Sequence, residues 1–237
     1  MSEGGTVLVV GATGKTGHRV VARLLEAGRT VRVLSRSEER AAQLGPVQVH
    51  AGDLRDPGSL SGMAAGVSAV VGCAGSRTYF GSNGGPELDA KGTKNLVEAI
   101  GREGRPHLVF LSAFGLDRRS IFLSIFSAML NRYFRWKAVA EAAVRDSGLP
   151  YTIVRPVELR DRPPREGMRL NQAAPLSLLR TVSRDLVAEG LVRSIGNPAA
   201  LERTFELCEG GDAPFETQLM AMKADHERPL PTRTPLW

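Results

Sequence analysis

The sequence predicts an α/β protein with a doubly wound parallel sheet and a small C-terminal substrate lobe. Three observations lead there. Val7–Val10 is a continuous valine and leucine run, which suits a strand buried on both faces of a parallel sheet. Gly11, Gly14 and Gly17 follow at once, and Val20, Val21, Leu24 and Leu25 then recur at helical spacing up to Gly28. Short apolar runs and helical segments go on alternating along the chain.

Strand, glycine turn and helix in that order make the first half of a dinucleotide-binding βαβ unit of the Rossmann kind. Gly11 lets the chain turn sharply off the strand. Gly14 leaves room for a pyrophosphate against the backbone, and Gly17 lets the helix pack close to the strand. The helix N-terminus adds free N–H groups and the positive end of a dipole. The spacing is G-x-x-G-x-x-G rather than the usual G-x-G-x-x-G, so the strand and helix around it carry the reading against a merely structural turn.

The second strand, Thr30–Ser35, runs into Arg36. An NAD site usually places an acid here for the ribose hydroxyls. Arg36, with Arg40 one helical turn on and Lys15 nearby, predicts NADP instead. Glu38 and Glu39 are the competing reading, since they could touch a ribose, but they are expected in the first turn of a helix capped by Ser37. Val47–His50 is a third strand, and Asp53 after it is either an adenine acceptor or a turn residue before Asp56-Pro57, which opens the next helix. Val67–Cys73 is the fourth strand, with Ala74 and Gly75 small enough for a ribose to lie against. A Gly/Ser/Asn-rich loop from Arg77 to Pro86 precedes a helix over Glu87–Ile100, and His107–Leu111 is the fifth strand.

The chemistry begins at Ser112, at that strand's end. Tyr133 and Lys137 then form a Y-x-x-x-K pair on one face of a helix reaching Ser147. An ammonium beside a phenol lowers its pKa, so Tyr133 can donate a proton to a carbonyl, while Lys137 holds a ribose and Ser112 polarises the same carbonyl. A solvated helix pair is the plain alternative. Ile121–Leu130, just upstream, is too apolar for an ordinary loop and is read as core, substrate wall, dimer contact or peripheral membrane contact.

Tyr151–Val154 is the sixth strand. Short strands are expected within Met168–Thr181, a helix capped by Ser183, a last strand over Arg203–Cys208 and a last helix over Ala213–Lys223. The tail from Asp225, with Pro229, Pro231 and Pro235, is expected to be extended and loosely held. A single domain over residues 1–237 results, with the substrate lobe and tail at about 157–183 and 211–237.

The remaining composition narrows the class. With 237 residues, 42% of them hydrophobic, the chain can bury one large core. No signal peptide and no membrane span are expected. Cys73 and Cys208 match no metal spacing, the four histidines read as surface or loop residues, and a reducing cytoplasm is the expected setting. The net charge of +6 comes from scattered arginines, so nucleic acid is not an expected partner.

Several segments also resemble one family. Val9–Gly17, Val31–Arg36, Gly52–Leu54, Gly92–Ala99, Leu108–Ser112 and Ser147–Pro156 are similar, in content and order, to the atypical short-chain dehydrogenase/reductases. The likeness is to the NAD(P)H-binding branch, which includes NmrA-like proteins and the flavin/biliverdin-IXβ reductases. It implies that Thr13, Lys15 and Thr16 touch the cofactor phosphates, and Arg36 and Arg40 the 2′-phosphate. It places Asp53 and Leu54 beside adenine, Ala74 and Gly75 beside the ribose, and Ser112, Ala113, Arg155 and Pro156 on the nicotinamide side. Val157 departs from the glycine that many relatives carry after the proline. The expected function is hydride transfer from NADPH to a small carbonyl, quinone or flavin-like acceptor, apolar or aromatic in character, by a monomer or homodimer. A non-catalytic NADP(H) sensor or assembly factor, and an epimerase or dehydratase with bound cofactor, are the alternatives.

Overall fold

The computed structural model describes residues 5–75, 84–116, 133–172 and 180–228. The elements, in order, begin with β1 (Thr6–Val10), α1 (Lys15–Glu26), β2 (Val31–Ser35), α2 (Glu38–Ala42), β3 (Gln48–Ala51) and β4 (Val67–Gly72). A π-helix (Gly85–Lys91) runs into α3 (Gly92–Arg102), then β5 (His107–Leu111) and α4 (Tyr133–Asp146). β6 (Tyr151–Pro156), β7 (Glu158–Arg160), β8 (Met168–Asn171) and β9 (Thr181–Ser183) precede α5 (Arg184–Ser194), β10 (Arg203–Glu209) and α6 (Phe215–Met220).

One sheet takes the strand order β3-β2-β1-β4-β5-β6-β10-β8. All its pairings are parallel except β10 with β8 at the edge. The chain leaves β1 toward β2 and β3, then returns to β4 on the other side. Such a reversal opens a crevice outside the carboxyl ends of β1 and β4. β7 and β9 form a separate two-stranded parallel ribbon.

Side-chain alternation along β1 explains both cores. Val7 and Val9 join a cluster with Val20, Val21 and Leu24 of α1 and with Leu186, Val187 and Leu191 of α5. Leu8 and Val10 join Leu96 and Ile100 of α3 and Ala140 and Val144 of α4 on the other face. Helices thus cover both faces, which is why the central strands read as unbroken apolar runs.

The sequence placed most elements within a residue or two. Both helix caps it named are formed: Ser37 accepts from Arg40 N–H, and Ser183 from Asp185 N–H. Elsewhere the structure corrects the reading. The helix expected after Asp56-Pro57 is a single 3₁₀ turn, Pro57–Leu60. The expected helix over Glu87–Ile100 is two elements, because the chain winds as a π-helix up to Lys91. The last helix covers only Phe215–Met220. His107 is no surface histidine but a buried residue of β5. Asp225 is buried rather than part of a loose tail, and residues Asp225–Glu227 form a 3₁₀ turn. The apolar run 121–130 and most of the loop 77–86 lie outside the described residues.

Candidate functional site

The crevice is a groove of about 710 Å³, within the usual range for a small-molecule or cofactor site. It runs from β2 across β1 and β4 to β5. Among the described residues, five cationic side chains line it, Lys15, Arg36, Arg40, Lys137 and Arg184, against one lining carboxylate, Asp53, with Asp161 and Asp89 paired to three of the cations from outside the lining. That balance favours an anionic ligand.

Backbone geometry shapes the centre. Gly11 has φ +80°, and a Cβ there would sit 2.6 Å from the Ala74 amide nitrogen. A Cβ on Gly17 would collide with the Gly11 carbonyl oxygen. Only glycine lets β1, the end of β4 and the start of α1 meet this closely. Gly14 caps α1 with no side-chain hydrogen bond, so the first-turn N–H groups are left for a ligand.

At the β2 end, Ser35 Oγ donates to the Ser37 carbonyl and accepts from Ser37 N–H, fixing the turn that presents Arg36. Arg36 is exposed, with Nη1 3.8 Å from Asp53 Oδ2. Asp53 is committed to Arg55, whose Nε lies 3.0 and 3.1 Å from its two oxygens. The hydrogen bond from Arg55 holds the Asp53 carboxyl below its ordinary value, with Arg36 adding to the effect. The backbone carbonyl of Leu54 accepts from Asn95 Nδ2 at 2.7 Å, which pins the loop after β3.

In the middle, Lys15 reaches Asp161 at 2.6 Å, and Arg184 reaches the same carboxylate at 2.9 Å. Arg19 lies 3.5 Å from it. Asp161, just past β7, therefore gathers three cations beside the glycine turn. The Lys15 hydrogen bond, with Arg184 close by, keeps its carboxyl below the ordinary range.

The β5 end brings Ser112, Tyr133 and Lys137 into the same groove, with Leu88, Leu111 and Leu159 supplying apolar wall. Lys137 is buried and ion-paired with Asp89 of the π-helix at 2.8 Å. Its ammonium lies 5.9 Å from the centre of the Tyr133 ring. Burial lowers the Lys137 pKa, Asp89, Tyr133 and Glu141 together raise it, and the net displacement is upward. Cys73 sits on the floor beside it, and burial pushes its thiol up to about 12 despite Lys137, which leaves it unreactive as a nucleophile. Ser112 Oγ is buried beside Glu141 and contributes to holding that carboxylate charged, without a well-aligned hydrogen bond.

Most residues singled out in the sequence therefore line one groove: Gly11, Thr13, Gly14, Lys15, Thr16, Arg36, Arg40, Asp53, Leu54, Ala74, Gly75, Ser112, Tyr133 and Lys137. Gly17, Ala113, Arg155 and Pro156 are not on its lining. Arg155 is buried behind it, donating from Nε and Nη2 to Glu141 at 2.8 and 2.6 Å. Burial raises and Arg155 lowers the Glu141 pKa, and the net shift is down. Sequence reasoning missed Arg184, Asp161 and Asp89. Arg184 follows the recognised cap Ser183, but nothing local said that α5 begins against the glycine turn. Among the described residues no acidic, histidine or cysteine cluster could hold a metal, and no helix is long and apolar enough to cross a membrane.

Fold and groove together define a nucleotide-binding protein of the Rossmann class. The chain belongs to the NAD(P)H-binding family, whose match spans residues 11–198. It is 30% identical over 217 residues to the uncharacterized sugar epimerase YhfK of Bacillus subtilis, covering 90% of this chain and 98% of that one. In fold it is similar to a putative NAD-dependent epimerase/dehydratase from Bacillus halodurans, with TM-score 0.77, 23% identity and coverage of 92% and 100%. It is also similar to ChuY, an anaerobillin reductase from Escherichia coli O157:H7, with TM-score 0.72, 21% identity and coverage of 88% and 99%.

Proposed function

We propose that this protein is an NADPH-dependent reductase acting on a small carbonyl, quinone or flavin-like acceptor. The observation that supports this best is the continuity of one groove. Its centre has the uncapped helix end and the glycine turn, and its β5 end has Ser112, Tyr133 and Lys137.

The residues present fit the cofactor. The first-turn N–H groups of α1, with Thr13, Lys15, Thr16 and Arg184, would hold the pyrophosphate. Arg36 and Arg40 would take the 2′-phosphate, since Asp53 is already neutralised by Arg55. Leu54 would lie against the base, and Ala74 and Gly75 against a ribose. NADPH would supply the hydride. The remaining task is to manage the charge that develops on the acceptor oxygen. Tyr133 donates the proton, Ser112 Oγ holds the oxygen, and Lys137 keeps a positive charge at the groove floor. The apolar wall of Leu88, Leu111 and Leu159 suits an apolar or aromatic acceptor.

Tyr133→Phe keeps the ring and removes the acid. NADPH affinity should barely change, while turnover of a carbonyl acceptor should fall by on the order of 10²–10⁴. Following NADPH absorbance with panels of aldehydes, quinones and flavins tests this. Full activity on every acceptor of the panels would remove Tyr133 from the chemistry. Tight NADPH binding with no oxidation of it by any acceptor would favour a cofactor sensor. The name of the Bacillus subtilis relative supports a second reading, an epimerase or dehydratase that keeps its cofactor. Cofactor that copurifies and does not exchange would favour that reading.

A further inference from the structure

Among the described residues, the Asp89–Lys137 pair is the most deeply buried ion pair at the groove, with side chains 1% and 5% exposed. Taking two charges out of water is costly, and an apolar pair is often at least as stable. A pair kept at a groove floor therefore calls for a role that apolar residues could not fill.

Three features of the chain bring the two groups together. Asp89 lies on the π-helix, a winding that is uncommon and clusters at functional sites. That helix packs against α4 through Gly85, where a Cβ would come within 2.6 Å of the Trp136 ring. From the opposite side Gly75 leaves room for the ammonium. A Cβ there would lie 3.2 Å from Lys137 Nζ and 3.6 Å from Asp89 Oδ1. The ammonium thus stands where Gly75, Asp89 and the Tyr133 ring converge.

We propose that Asp89 is a positioning residue that fixes the Lys137 ammonium, charged, at the groove floor. There it faces the nicotinamide half of the cofactor. This rests on the reading of Lys137 as a site residue. Among the described residues, the groups facing Lys137 are Asp89 from the π-helix, Tyr133 and Glu141 from its own helix, and Cys73 from the end of β4. Glu141 is already committed to Arg155 and Arg145. Cys73 stays a neutral thiol. Asp89 is thus the carboxylate in direct contact, at 2.8 Å, that keeps the ammonium protonated. Replace it with asparagine and burial dominates, so that Lys137 loses its proton at a lower pH.

The test is NADPH affinity from fluorescence titration between pH 6.5 and 9.5. It compares the full chain, Asp89→Asn, Lys137→Met and the double variant, with thermal melting of each as a folding control. The parent should bind NADPH equally across this range. Asp89→Asn should match it at pH 6.5 and weaken by on the order of tenfold by pH 9.5, the worth of a charge-assisted hydrogen bond. Lys137→Met should be weak throughout, and adding Asp89→Asn to it should change nothing. A folded Asp89→Asn with pH-independent, parental affinity overturns the role of Asp89 while leaving Lys137 in the site. Parental affinity and turnover in Lys137→Met overturn the reading of Lys137 itself. If Asp89→Asn does not fold, Asp89→Glu decides. It keeps the charge but displaces the ammonium, so affinity should fall at every pH, and parental affinity would overturn the proposal.

Discussion

Arg36 is the side chain proposed to set cofactor choice. It is exposed at the tip of a turn that Ser35 fixes, and its nearest carboxylate, Asp53, is held mainly by Arg55. Its guanidinium meets solvent at the end of the groove, where the proposed 2′-phosphate would sit. Arg36→Asp should weaken NADPH by on the order of tenfold or more, the worth of a charge-assisted contact, and leave NADH unchanged or improved. Calorimetric titration of both cofactors measures this, and equal parental affinities for the two would refute the NADP preference. The sequence points to Arg36 because arginine stands where an acid is usual. It carried nothing of Asp161 or Asp89. Each acts through a partner far away in sequence, Lys15 and Lys137 respectively, and no local spacing announces such a pair.

Elements with a local signature were legible, and those made by distant partners were not. β1 and α1 follow from an apolar run, three glycines and a helical repeat, and the caps Ser37 and Ser183 follow from their side-chain oxygens. The C-terminal turn shows the other case. Its prolines and charges suggest a loose tail, yet the Asp225 carboxylate accepts from Tyr151 Oη at 3.0 Å and Thr204 N–H at 3.0 Å. Thr204 Oγ1 donates to it at 2.5 Å, and Arg145 Nε approaches at 3.5 Å. Arg145 also donates to Glu141, so the turn is joined through α4 to the Glu141–Arg155 pair behind the groove. Asp225→Ala would leave these buried donors without their acceptor and should cost about 3 kcal/mol. Denaturant unfolding reads the loss directly. A change below ~0.5 kcal/mol, typical of surface substitutions, would mean that the turn is an ornament on the surface after all.

At the scale of the whole molecule, His107 ties the sheet to the far end of α5, and its protonation state is fixed by its neighbours. Gly196 N–H donates to Nδ1 at 3.0 Å, so Nδ1 carries no proton. Nε2 then donates to Thr152 Oγ1 at 2.9 Å, and that hydroxyl donates to the Ala200 carbonyl at 2.6 Å. Every proton in the chain is assigned, and a second one on the ring would face the Gly196 N–H. Burial pushes the His107 pKa from 6.5 down to about 4, against an upward pull from a Tyr151 backbone hydrogen bond. In the unfolded chain the ring titrates near its ordinary value, so between those limits the unfolded state binds more protons. Stability is therefore present in full above pH 6.5 and is lost as pH falls from 6.5 towards 4, by about 3 kcal/mol in all. The carboxylates with lowered pKa, such as Glu141 and Glu209, act in the same direction but only below their ordinary 4.5. The upper part of the window thus belongs to His107. His107→Asn keeps an acceptor near the Nδ1 position and abolishes the titration. It should be less stable than the parent at pH 7 and nearly flat between pH 6.5 and 5, where the parent declines. Urea unfolding at half-unit pH steps measures both slopes, and a parental decline that persists in His107→Asn would assign the proton uptake to another group.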